Sequence, residues 1–225
     1  TSQHREGTGY LDYLDREMML FCEEGIANRK IVQMHLGGGT PTFLKPDEIK
    51  RLGSIIHRHF GETTGCEAGA EVDPRRLTKE HVTALWEAGF NRASMGVQDN
   101  NPKVQKAVNR IQPMEITRAS VEWLRETGFK SINIDLIYGL PHQTESSFET
   151  TLDEIIALSP NRLAVFSYAH VPWIKPAQKI LERDNLPTPE TKLNLLKLII
   201  EKLTAEGYVY IGMDHFARPD DELAV

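Results

Sequence analysis

The sequence predicts an α/β fold built on a parallel sheet, and three observations carry that prediction. Six short apolar or alternating runs recur along the 225 residues, with room for a helix between each and the next. Stripes of helical period fill most of those gaps. Three of the helices end alike, in EAGF (87–90), ETGF (126–129) and AEGY (205–208): a glycine suited to a left-handed cap, then an aromatic residue that opens the next strand. Repetition of this kind gives a sheet that is either open and doubly wound or curled into a barrel. In both, functional groups gather at the carboxyl ends of the strands.

The elements follow in order. An opening helix carries Leu11, Leu14, Met18, Phe21 and Cys22 on its apolar side, where Cys22 reads as a buried free thiol. The first strand is expected over Ile31–Leu36, followed by HLGGGTPTFL (35–44). PDEIKRLGSIIHRHF then sets Ile49, Leu52, Ile55, Ile56 and Phe60 on one stripe. Cys66 falls in the turn GETTGCEAG, ahead of a strand at Ala68–Val72. Further strands are expected at Arg92–Val97, Ser131–Ile137, Arg162–Phe166 and Tyr208–Met213. NLPTPE (185–190) starts a helix whose stripe is Leu193, Leu196, Ile199, Ile200 and Leu203. With no long Gly/Ser linker, residues 1–225 are expected to form a single domain.

Composition excludes some roles. Lys and Arg number 26 against 32 Asp and Glu, giving a net charge of -6, and no window is densely basic. Nucleic acid is therefore not an expected partner. No apolar stretch approaches the roughly 18 residues of a membrane span, and TSQHREGTG lacks the regions of a signal peptide. A cytoplasmic protein with no membrane partner is expected. The two cysteines are too far apart to suggest a disulfide framework.

The expected strand ends are polar: Gly37–Thr40, Glu71 with Asp73, Gln98 with Asp99, Asp135 with Tyr138, Ser167–His170, and Asp214 with His215. Such a ring favours the catalytic face of a barrel. The glycine triplet lacks the spacing G-x-G-x-x-G and the ending G-K-[ST], so it is a poor phosphate loop. It admits either a tight turn or a ligand's polar head lying against bare backbone, with the Thr40 hydroxyl beside it.

HLGGGTPTFL, AEVDPRRL, RASMGVQDNNPKVQKAVNR, NIDLIYGLPHQT and FSYAHVP occur together in this order. With them the chain resembles the radical S-adenosylmethionine (SAM) enzymes of the oxygen-independent coproporphyrinogen III oxidase type, over essentially its whole length. The resemblance implies a partial (β/α) barrel of the radical SAM type. It implies a [4Fe-4S] cluster that splits SAM into methionine and a 5′-deoxyadenosyl radical. That radical takes a hydrogen atom from a propionate side chain of coproporphyrinogen III, which then loses an electron and carbon dioxide and becomes a vinyl group; this happens twice, giving protoporphyrinogen IX on the heme route. An electron donor for the cluster is an implied partner. Two SAM molecules per chain are implied as well. Carried over by motif, Gly38 and Glu71 face the cluster-bound SAM, and Gly39, Thr40, Gln98, Arg110, Asp135 and Ala169 face the second. A carboxylate suits a ribose diol or an ammonium, and an arginine grips the methionine carboxylate with two parallel bonds.

The sequence departs from that pattern at one point. The family's C-x-x-x-C-x-x-C run, which supplies three thiolates and leaves one iron open, is absent, and Cys22 and Cys66 cannot replace it. The chain therefore reads as an internal piece, from TSQHREGTGY to DDELAV, of a longer protein, inactive by itself. No metal is assigned to its histidines. The other reading is a heme-binding chaperone related to the family, although GVQD, VNR and GMDHFA stand on the oxidase side.

Overall fold

The computed structural model describes residues 6–26, 30–61, 63, 65–184 and 186–225. Residues 1–5 of the opening TSQHREGTG, Glu62 and Thr64 of the turn GETTGCEAG, and Asn185 of NLPTPE lie outside that set. Its elements run α1 (Glu6–Phe21), β1 (Gln33–Leu36), α2 (Pro46–Phe60), β2 (Glu67–Val72), α3 (Lys79–Glu87), β3 (Arg92–Gln98), α4 (Pro102–Ala107), α5 (Met114–Thr127), β4 (Ser131–Tyr138), α6 (Glu145–Ile156), β5 (Arg162–Ser167), α7 (Pro189–Ala205), β6 (Val209–Gly212) and β7 (His215–Ala217). The chain falls into two compact units, one reaching Ser94 and including Ser120–Ser131, the other made of Met95–Ala119 and Ile132–Val225.

In the first unit β1 and β2 are parallel, with His35 opposite Gly69 and Leu36 opposite Ala70. Pro46 opens α2, and the Glu48 carboxylate accepts the Lys45 amide at 2.8 Å. Ile49, Leu52, Ile55 and Ile56 are buried as their spacing requires, and Phe60 is half-buried. Gly53 lies inside this stripe because a β-carbon there would sit 2.7 Å from the Ala88 Cα. Bare backbone lets α2 close on the end of α3. The apolar side of α1 is shorter than expected. Leu11 is buried and Leu14 and Met18 are half-buried, but Phe21 is 52% exposed. Polar links, Arg51 to Asp12 and Arg58 and His59 to Asp15, fix this helix. Cys22 accordingly lies past the α-helix, half-buried rather than buried, its thiol 3.3 Å from the His59 carbonyl.

In the second unit β4 and β5 are parallel, with Asp135 opposite Ala164. The end of the sheet corrects the sequence reading. One strand over Tyr208–Met213 was expected in a parallel sheet, but β6 and β7 form an antiparallel hairpin and β7 joins β5 antiparallel. Met213 and Asp214 hold φ of 47° and 69° between the paired Gly212 and His215, the backbone twist of a two-residue hairpin turn. Neither Asn-Gly nor Asp-Gly marks it. The stripe of α7 is also turned: Leu195, Ile199 and Leu203 are buried, Leu196 and Ile200 are half-buried, and Leu193 is 67% exposed. Leucine and isoleucine occupy several faces of this helix. Lys202 pairs with Glu149 and Asp153 on α6 at the edge of the inward face.

The three Gly-aromatic endings form as the repeat predicts. Gly89, Gly128 and Gly207 have φ of 93°, 107° and 83°. The amides of Phe90, Phe129 and Tyr208 reach back to the carbonyls of Leu85, Leu124 and Leu203, each at 3.0 Å, and all three rings are buried. A β-carbon at Gly128 would lie 3.2 Å from Trp86 in a conformation that alanine resists. Gly128→Ala is expected to cost about 1–2 kcal/mol in chemical denaturation. An unchanged midpoint would contradict this account of the cap.

Candidate functional site

Alternation along the strands leaves one face of each unit polar. On β2 the half-exposed side carries Glu67, Gly69 and Glu71, while Ala68, Ala70 and Val72 are buried. On β4 it carries Asn133, Asp135 and Ile137, opposed by buried Ile134 and Leu136. The buried set anchors each strand in its unit's core, and the other set is available for chemistry.

In the first unit this face gathers His35 and Glu71, with His35 Nε2 3.5 Å from Glu71 Oε1. The His35 ring lies between two glycines. A β-carbon at Gly37 would be 2.7 Å from its Nε2, and one at Gly69 would be 3.2 Å from its Nδ1. The glycine triplet is thereby explained in part. Gly37 gives clearance to His35 and Glu71, Gly38 takes a φ of 97°, and Gly39 borders open space. Gly38, Gly39 and Thr40 are all exposed. His35 stood beside the triplet in the sequence without being singled out, and Gly69 was hidden inside a strand.

In the second unit Arg110 Nη2 donates to the Gly96 carbonyl at 2.6 Å. Gly96 is the cradle: a β-carbon there would sit 2.5 Å from Gln98 Nε2 and 3.3 Å from Arg110 Nη2. Gln98 and Arg110 line a cavity of about 450 Å³ whose other walls include Ile137, Leu140, Tyr168, Gln178 and Leu181. An apolar chamber with a few convergent polar groups is the usual form of a small-molecule site. Gly96→Ala should displace both side chains while leaving the buried side of β3 intact. The expected reading is a loss of ligand binding without a comparable loss of thermal stability. A variant that binds SAM like the wild type would contradict the cradle.

Two other expected site residues stand nearby in sequence but not on this wall. Asp135 accepts the Asn133 amide at 2.6 Å and is half-buried. The Ala169 carbonyl accepts from Gln178 Nε2 at 3.1 Å, and Gln178 Oε1 in turn accepts the Val171 amide at 2.7 Å. Gln178 thus ties the loop after β5 to the cavity, a role that nothing in its sequence context signalled.

Several members of the expected polar ring are structural. Asp73 holds Arg75 through two bonds, at 2.9 and 2.7 Å. Asp99, 1% exposed, accepts from the Asn101 amide, Gln143 Nε2 and the Thr151 hydroxyl. Burial holds its carboxyl above the ordinary range, against the hydrogen bonds that lower it. His170 meets Glu182 at 3.1 Å, and His215 Nδ1 lies 2.6 Å from the Met213 carbonyl.

Parallel strand pairs, and a polar side relieved by glycine in each unit, place both units in the α/β class of proteins, in which functional groups gather at strand ends. A model of the Radical SAM superfamily matches residues 4–155, and the chain belongs to that superfamily. It is 46% identical over 99% of its length to the oxygen-independent coproporphyrinogen III oxidase of Helicobacter pylori strain J99, covering 49% of that protein. It is 48% identical over its full length to the enzyme of the same name from Escherichia coli K12, again covering 49%. The solved structure of coproporphyrinogen III oxidase from Escherichia coli, described as a radical SAM enzyme, matches with a TM-score of 0.94 and 47% identity, covering 100% of this chain and 51% of that one. The chain thus spans about half the length of the relatives it matches.

The family implies SAM and a [4Fe-4S] cluster. Polar groups cradled by glycine in both units suit a zwitterionic ligand such as SAM. The cluster does not fit the side chains present. Only two cysteines exist, far apart in sequence, and burial pushes the Cys66 thiol up, away from the thiolate a cluster needs. Among the described residues no group of three or more His, Cys, Asp or Glu is placed to hold a metal ion. Anaerobic treatment of the 225-residue chain with iron and sulfide is therefore expected to leave no stable cluster. A full iron complement with the matching charge-transfer absorbance would contradict that. Among the described residues, no helix is long and apolar enough to cross a membrane.

Proposed function

We propose that this chain supplies the SAM- and porphyrinogen-binding face of an oxygen-independent coproporphyrinogen III oxidase. The observation that carries the reading is 46–48% identity across essentially the whole chain to proteins of that name. Bound SAM would supply the adenosyl group from which this class of enzyme makes its hydrogen-abstracting radical. Glu71 and the backbone at Gly38 are proposed to hold one SAM, and Gln98, Arg110 and Asp135 a second. Arg110, steadied on the Gly96 carbonyl, presents a fixed cation to the methionine carboxylate. The Asp135 carboxylate takes an ammonium or a ribose diol, and the Gln98 amide a neutral polar edge. An electron donor belongs to the same proposal.

Two titrations test it, one with SAM and one with heme followed by absorbance. Saturable SAM binding with only weak heme uptake is expected. Tight stoichiometric heme uptake without SAM binding would instead make the chain a heme carrier.

A further inference from the structure

Beside the Gln98–Arg110 chamber lies a second cavity of about 370 Å³, lined by Lys103, Lys106, Ala107, His142 and Ile180. Ala107 and Ile180 line the larger chamber too, so the two cavities adjoin. We propose that Lys103, Lys106 and His142 hold a propionate carboxylate of the porphyrinogen, with Ala107 and Ile180 against the ring that bears it.

The lysines stand three residues apart on α4, hence on one helix face, where like charges repel. Three other lysines of this unit have internal partners: Lys202 pairs with Glu149 and Asp153, Lys197 with Glu201, and Lys192 donates to the Tyr168 carbonyl, whereas Lys175 and Lys179 lie outside this cavity. Among the described residues, Lys103 and Lys106 have no carboxylate partner. His142 reaches this cavity from a backbone with φ of 66°, a conformation that costs a non-glycine residue energy. Exposed Ile180, at 62%, supplies the apolar surface between these cations and the chamber. Cations at one end and an apolar wall at the other match a pyrrole ring with a propionate arm. A protein of net charge -6 needs such a local reversal to receive a ligand with four carboxylates.

This inference rests on the porphyrinogen reading above, and its test separates the two. The 225-residue chain is titrated by fluorescence with coproporphyrin III, the stable oxidised form that keeps all four carboxylates, and with its tetramethyl ester. Replacing both lysines (Lys103→Ala with Lys106→Ala) is expected to weaken coproporphyrin III about tenfold while leaving ester and SAM binding unchanged. The Lys103→Arg, Lys106→Arg pair should keep most of the affinity. Raising salt should weaken coproporphyrin III and not the ester, a readout that needs no variant. Unchanged coproporphyrin affinity in the alanine pair, or an equal loss for the ester, overturns the carboxylate site and leaves the oxidase reading standing. A wild-type chain that takes up neither porphyrin overturns both.

Discussion

Asp99→Ala is expected to lower the folding free energy by about 3 kcal/mol, because it strips an acceptor from three donors at once. The Asn101 amide, Gln143 Nε2 and the Thr151 hydroxyl all point at a carboxylate that is 1% exposed. Gln143 also donates to the Ile137 carbonyl, and its Oε1 accepts the Leu140 amide, so the loss would loosen the end of β4. The pH dependence has a definite sign. Burial raises the folded carboxyl above its unfolded value, so ionising it costs stability as pH rises through the ordinary carboxylate range and up to the raised value. The variant should lack that decline, seen as a flatter thermal-midpoint profile over mildly acidic pH. A loss under 1 kcal/mol with an unchanged profile would show that Asp99 is not a structural keystone.

Arg110→Ala is expected to weaken binding at the second proposed SAM site by about a hundredfold, as removal of a charged partner from a partly desolvated pair does. Folding should be nearly unaffected, since Arg110 is half-exposed and lies outside the unit's apolar core. Arg110→Lys should recover only part of the affinity, because a lysine cannot keep the Gly96 carbonyl and also form two parallel bonds to a carboxylate. Calorimetry reads both. Wild-type affinity in the alanine variant would remove Arg110 from the site.

The legible parts of the fold were those set by local chemistry. Glycine followed by an aromatic residue produced the same left-handed cap at Gly89, Gly128 and Gly207, and α2 buried the residues its period marked. Features decided by packing were not legible. The apolar surface of α7 is wide enough that its period does not single out the face carrying Leu195, Ile199 and Leu203, which packing buries. The hairpin at Met213 and Asp214 carries no conventional turn signal. At the candidate site, residue type could not separate Asp99 and Asp73, whose oxygens are consumed by neighbours, from Glu71, whose side chain is half-exposed. Gly69 and Gly96 escaped notice because a glycine within a strand reads as a weakness until the side chain it makes room for is seen.

The central claim is that these residues do the ligand handling of a coproporphyrinogen III oxidase. Its most direct test is a chimera, in which this chain replaces the matching stretch of the 48% identical Escherichia coli enzyme. The chimera is assayed anaerobically with a reductant, SAM and coproporphyrinogen III after folding and cluster content have been checked. The account predicts carbon dioxide release and protoporphyrinogen IX, with both abolished by Arg110→Ala. A folded chimera that retains its cluster yet leaves coproporphyrinogen III unchanged would contradict it.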